Sequence, residues 1–139
     1  MEYNQILKEL TNQVFYPVYL FHGEEPYFID KLTRYIQDHI LSDQEKAFNQ
    51  TLFYGKDTDS ETVISAARRY PMMASKQVVI LKEAQNQKDI HNLHYYVEKP
   101  QKSTVLVINY KYKPLDKRTK LFKSIQKHGV VFESKKIKD

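Results

Sequence analysis

Two runs of four consecutive apolar residues, Val78-Val79-Ile80-Leu81 and Val105-Leu106-Val107-Ile108, constrain this chain more than any other feature. Both are rich in β-branched side chains, and neither alternates with polar residues. A strand patterned this way has both faces covered, the habit of parallel strands lying between two layers of helix. The runs predict strands over 77–82 and 104–109, and shorter apolar runs predict three more over 17–22, 48–54 and 129–133. Helical periodicity fills the gaps. Residues 26–41 set Phe28, Leu32, Tyr35 or Ile36, and Ile40 on one face, with Pro26 suited to the first turn. Thr58 and Glu61 have the spacing of a capping box, opening a helix through Val63, Ile64 and Ala67. Ile90, Leu93 and Val97 mark another helix, which Pro100 stops. Leu121, Phe122 and Ile125 mark one over about 115–128, ended by Gly129. A leading helix carries Ile6, Leu7, Leu10 and Val14. This alternation predicts right-handed βαβ crossovers in a single three-layer α/β domain over 1–139, with a five-stranded, mainly parallel sheet.

No apolar stretch approaches the roughly 18–20 residues of a membrane helix, so no membrane partner is expected. Residues 1–5 show no basic region leading into an apolar one, which reads as no secretory signal. The chain has no cysteine. That excludes a disulfide scaffold, a thiol nucleophile and a Cys-based zinc site, and it suits a reducing cytoplasm. The net charge of +5 is unevenly placed: residues 1–110 carry −2 and residues 111–139 carry +7. Such a basic end could meet phosphates or an acidic protein face, through Lys111, Lys113, Lys117, Arg118, Lys120 and Lys123, or it could be a solvated helix face.

In folds of this type the first strand-to-helix turn is where a phosphate is cradled. Here that turn is Phe21-His22-Gly23-Glu24-Glu25-Pro26-Tyr27-Phe28-Ile29-Asp30. With Gly23 as the first glycine of a P-loop, the second glycine falls at Phe28, the lysine at Ile29 and the magnesium-holding hydroxyl at Asp30. Glu24 and Glu25 put negative charge where the anion would sit, and Pro26 removes an N–H. The third strand is followed by Lys82, which cannot ligate magnesium, and by Glu83, which reads as a surface carboxylate. His91 and His94 could share a helix face, but no third ligand stands at metal spacing. No serine has nucleophile-elbow glycines, and no general acid/base pair stands out. The expectation is a nucleotide-type scaffold with no catalytic residues, no metal and no cofactor.

The stretch Arg68-Arg69-Tyr70-Pro71-Met72-Met73-Ala74-Ser75-Lys76-Gln77 puts two methionines in a connection, where polar residues are usual. Exposed, they suit insertion into a partner's apolar pocket; folded back under the sheet edge, they are core filler.

The order of motifs resembles the N-terminal domain of the delta subunit of bacterial DNA polymerase III, a clamp-loader subunit. The resemblance rests on Tyr19-Leu20-Phe21-His22-Gly23-Glu24-Glu25 followed by a helix, on Phe53-Tyr54-Gly55, and on 71–82 from Pro71-Met72-Met73 to Lys82. Residues 103–108 and Leu115-Asp116-Lys117-Arg118 complete it. It implies an AAA+-like core, of the P-loop NTPase type, that binds no ATP. It also implies a sliding-clamp contact at an apolar pair, which falls on Met72 and Met73 flanked by Tyr70 and Pro71. Other members of the family it resembles can carry a leucine and an aromatic there. The resemblance further implies a longer protein, in which a small helical domain and a helical collar follow and the collar joins other clamp-loader subunits. DNA would pass nearby, contacted weakly or indirectly. Two alternatives stand beside it: a nucleic-acid-binding module using the basic segment, and a divergent nucleotide-binding enzyme with Arg118 as a trans-acting finger.

Overall fold

Five strands form one sheet in the computed structural model, which describes residues 1–136: β1 (Val18–Gly23), β2 (Gln50–Tyr54), β3 (Gln77–Lys82), β4 (Thr104–Lys111) and β5 (Val130–Glu133). Their order across the sheet is β2-β3-β4-β1-β5, and every neighbouring pair is parallel, with no antiparallel edge. Among the described residues, six α-helices connect or precede them: α1 (Tyr3–Thr11), α2 (Pro26–His39), α3 (Asp43–Asn49), α4 (Ser60–Ala67), α5 (His94–Val97) and α6 (Lys120–His128).

The continuous apolar runs do what their composition requires. Val79, Leu81, Leu106 and Ile108, with Val18 and Leu20, face a core closed by α4, α5 and α6. Val78, Ile80, Val105 and Val107, with Tyr19 and Phe21, face the opposite core, closed by α1 and α2 through Ile6, Leu10, Ile29, Leu32 and Ile36. Successive strand residues point to opposite faces, so a run apolar at every position can fill both cores.

Several boundaries differ from the sequence reading for local reasons. The predicted strand over 48–54 is shorter, because Ser42 and Glu45 close a capping box that opens α3 and carries the chain helically through Phe48 and Asn49. The box expected at Thr58 belongs to Asp59, whose carboxylate accepts from the Thr62 N–H at 2.8 Å. The Ile90–Val97 helix starts as a 3₁₀ turn, Ile90–Leu93, before α5. The helix predicted from about Leu115 begins at Lys120. The carbonyl and carboxylate of Asp116 instead hold a turn through Thr119 Oγ1 and the Arg118 N–H, and Thr119 caps α6.

Because all strands are parallel, the sheet has two unlike ends. The turn after β1 lies at the C-terminal end, beside the point where the chain leaves β1 for β2 on one side and later returns to β5 on the other. The connection from α4 into β3 lies at the N-terminal end.

Candidate functional site

The C-terminal end of the sheet is where open α/β folds take ligands. Here it is occupied by the protein's own charges. Lys111, opposite Gly23 in the β1–β4 register, is buried, and its Nζ lies 2.6 Å from Asp30 Oδ1 and 2.9 Å from Glu83 Oε2. Gln85 Nε2 donates to Glu83 Oε1 at 3.0 Å, and its carbonyl oxygen accepts from the Lys111 N–H at 3.0 Å. Burial alone would push the Lys111 ammonium down, yet Asp30 and Glu83 outweigh it and hold its pKa above the ordinary value. For Glu83, burial pushes up, but hydrogen bonds from Lys111 and Gln85 hold the carboxyl below its ordinary range. Lys111 therefore does not belong to the exposed basic face, and Glu83 is a structural partner rather than a lone surface carboxylate.

The residues of the turn itself are engaged within the fold. Glu25 caps α2 by accepting from the Tyr27 N–H at 3.2 Å, Pro26 fills the first helical position, and Glu24 is exposed. At the positions a second glycine and a lysine would need, Phe28 stacks edge-on against Tyr3 at 5.2 Å and Ile29 is buried in the α1–α2 core.

The opposite end of the sheet carries the apolar tip. Residues 68–76 form an irregular loop in which Tyr70 is 81% exposed, Met72 60% and Met73 100%, with Pro71 between Tyr70 and Met72. The core-filler alternative does not hold, since neither thioether lies under the sheet. Met73 has φ 57°, a left-handed conformation uncommon for a residue with a side chain.

The loop is anchored at three places. Gln77 Nε2 donates to the carbonyls of Ala67 and Arg69, Gln101 Nε2 donates to Arg69 O at 2.7 Å, and Thr104 Oγ1 donates to Ala67 O at 2.6 Å. These bonds satisfy carbonyls left open at the end of α4. Asn49 holds the middle through the backbone of Met72. Lys76 Nζ donates to Lys102 O at 3.0 Å near the end. Phe48, the neighbour of Asn49, is 72% exposed. Sequence reasoning singled out Tyr70, Pro71, Met72 and Met73, which lie on this loop; it passed over the exposed Phe48 beside it and the anchoring roles of Asn49, Gln77, Gln101 and Thr104.

The basic segment is less of a unit than its charge suggests. Lys117 pairs with Glu133 at 3.0 Å, and Arg118 grips Asp116 through two nitrogens at 3.0 and 2.9 Å. Lys113, Lys120 and Lys123 are exposed and form no ion pair among the described residues. The last three residues of the segment, 137–139, lie outside the described residues. No group of three or more His, Cys, Asp or Glu stands together at metal-binding distance among the described residues, and His94 Nδ1 meets Glu98 Oε1 at 2.8 Å. Among the described residues, no helix is long and apolar enough to cross a membrane.

His22, near the end of β1, is fully buried. Its Nδ1 accepts from the Leu115 N–H at 2.9 Å, and its ring lies 5.7 Å from that of Phe122. Burial pushes its pKa down to about 4, against the pull of Glu133 and with a push from Lys117. The unfolded chain, with an ordinary histidine, takes up the proton first as pH falls. This contribution to stability is therefore complete above about pH 6.5 and is lost as pH drops toward 4, by up to about 1.4 kcal/mol per pH unit. Urea unfolding across pH 7 to 4 is expected to show that loss, and His22→Gln to flatten it.

Comparisons with known proteins bear on the family and the fold. The family described as DNA polymerase III, delta subunit, matches residues 19–135. DNA polymerase III subunit delta of Bacillus subtilis (strain 168) is 29% identical over 142 aligned residues, covering 95% of this chain and 41% of that protein. The chain thus spans about two fifths of the length of that curated relative. The solved structure of the Bacillus subtilis DNA clamp loader delta protein superposes with a TM-score of 0.87 at 26% identity, over 97% of this chain and 43% of that one. A gamma subunit-related protein of DNA polymerase III from Thermotoga maritima superposes with a TM-score of 0.63 at 15% identity, over 97% of this chain and 46% of that one, a likeness of fold alone.

Proposed function

The chain belongs to the DNA polymerase III delta subunit family, and from that premise we propose that it docks on a sliding clamp through Met72 and Met73 and biases the clamp toward its open form without hydrolysing ATP. The observation that carries this reading is a wholly exposed Met73 on a loop anchored by buried side chains, at the end of the sheet away from the plugged crevice.

The chemistry is that of binding. Two methionines entering an apolar pocket contribute roughly 3–6 kcal/mol before ordering terms, and an anchored loop has less entropy left to lose. A contact of this kind shifts a closed–open equilibrium only by its difference in affinity for the two forms, so the tip must fit the open clamp better. Hydrolysis falls to other clamp-loader subunits, which join through portions of the longer protein, in the cytoplasm. A second reading, weak DNA contact, is supported by Lys120, Lys123 and Lys127. These are spaced to share one face of α6 and are all exposed.

The test mixes the purified chain with the clamp on a sizing column, with and without Mg-ATP. Co-elution that Mg-ATP leaves unchanged is expected. Separate elution, or a complex that forms only with the nucleotide, would overturn the reading.

A further inference from the structure

Asn49 ends α3 and is 3% exposed. Its side-chain amide closes two hydrogen bonds on a single residue of another loop: Nδ2 donates to Met72 O at 2.8 Å, and Oδ1 accepts from the Met72 N–H at 2.7 Å. Nδ2 also donates to Glu45 O at 3.0 Å, which ties the same amide to its own helix. Only a carboxamide carries the donor and the acceptor that this pairing needs. A carboxylate has no donor, and an alanine has neither group. The residue after the clasp is Met73, in the left-handed region at φ 57°. A side-chain-bearing residue stays there when its surroundings over-determine the backbone, and such conformations gather at functional clamps.

We infer that Asn49 is the positioning residue of the docking tip. It fixes the Met72 backbone so that Met73 holds its turn and both side chains are presented before any partner arrives. The inference rests on the docking reading above. It extends that reading to a residue outside the loop, which acts by lowering what must be ordered on binding.

The experiment measures clamp affinity by calorimetry for the 139-residue chain and for Asn49→Ala, Asn49→Asp, Met73→Ala and the Asn49→Ala/Met73→Ala double variant. Hydrogen exchange is followed at the Met72 amide and along β3. Both Asn49 variants are expected to bind about tenfold more weakly, equivalent to about 1.4 kcal/mol. Exchange at Met72 is expected to speed up while β3 stays protected. In the Met73→Ala background, the further loss from Asn49→Ala is expected to shrink to about threefold, because only Met72 is left for the clasp to present. Should Asn49→Ala fail to fold, Asn49→Asp, which keeps the volume and one bond, carries the comparison. Near-normal binding by the Asn49 variants alongside a weakened Met73→Ala would sink the inference and leave the docking reading standing. So would an equal tenfold loss in both backgrounds. A Met73→Ala chain that binds normally would remove both.

Discussion

Met72→Ala and Met73→Ala combined in one chain are expected to weaken clamp binding by about 100-fold or more while shifting the melting temperature by less than about 2 °C. The two halves of that statement come from the same observation. At 60% and 100% exposure these side chains contribute little to either core, so truncating them removes almost no folding energy. Burying each in a partner's pocket is worth roughly 1.5–3 kcal/mol, and alanine recovers only a fraction of that. A net loss near 3 kcal/mol corresponds to more than a hundredfold in affinity. Met73→Asp should be worse still, since a carboxylate forced into an apolar pocket loses its hydration without gaining a partner. Tyr70, also largely exposed but at the flank, should lose less on truncation, because binding energy concentrates near the centre of an interface. Calorimetric titration of the clamp with wild-type and variant chains checks the affinity, and circular dichroism the fold. A folded double variant that binds within threefold of wild type would remove the tip from the interface.

How much of this was legible in the sequence depended on the range over which each signal acts. Val78–Leu81 and Val105–Ile108 announced their strands and their two-sided burial because pattern and environment are local to one strand. The tip was legible because methionines in a connection are out of place whatever surrounds them. The start of α3 was also written locally, in Ser42 and Glu45, but the apolar Phe48 invited a strand two residues too early. Asn49, Gln77, Gln101 and Thr104 could not be found this way. Their bonds reach residues between 8 and 37 positions away, and nothing beside them in the chain distinguishes them from surface polar residues. Lys111 was misread for a related reason. It was counted into a basic segment, whereas its partners Asp30 and Glu83 reach it from α2 and from the end of β3, meeting only once the sheet has formed.

Gly23→Ala is expected to destabilise the fold by more than about 4 kcal/mol, lowering the melting temperature by more than about 10 °C. The sequence offered Gly23 as the first glycine of a phosphate loop, where a missing side chain lets backbone approach an anion. The structure gives the residue another occupation. Its φ is +123°, which side-chain-bearing residues rarely adopt, and a Cβ built there would stand 2.3 Å from Ser134 O and 2.9 Å from Ser134 N. Those atoms cannot rotate away, because they are backbone and both are bonded: the Ser134 N–H donates to His22 O at 2.7 Å, and Ser134 O accepts from the Glu25 N–H at 3.2 Å. An added methyl must push the segment after β5 off the turn, breaking the link that joins the end of β5 to the start of α2. Thermal and urea unfolding measure the loss. If the glycine serves this backbone contact within the chain, Mg-ATP should restore nothing to the variant, whereas a glycine kept for a phosphate would leave the empty fold nearly as stable as wild type. A Gly23→Ala chain melting within about 3 °C of the parent would show that the turn opens freely, and the account of this crevice as self-filled would fail with it.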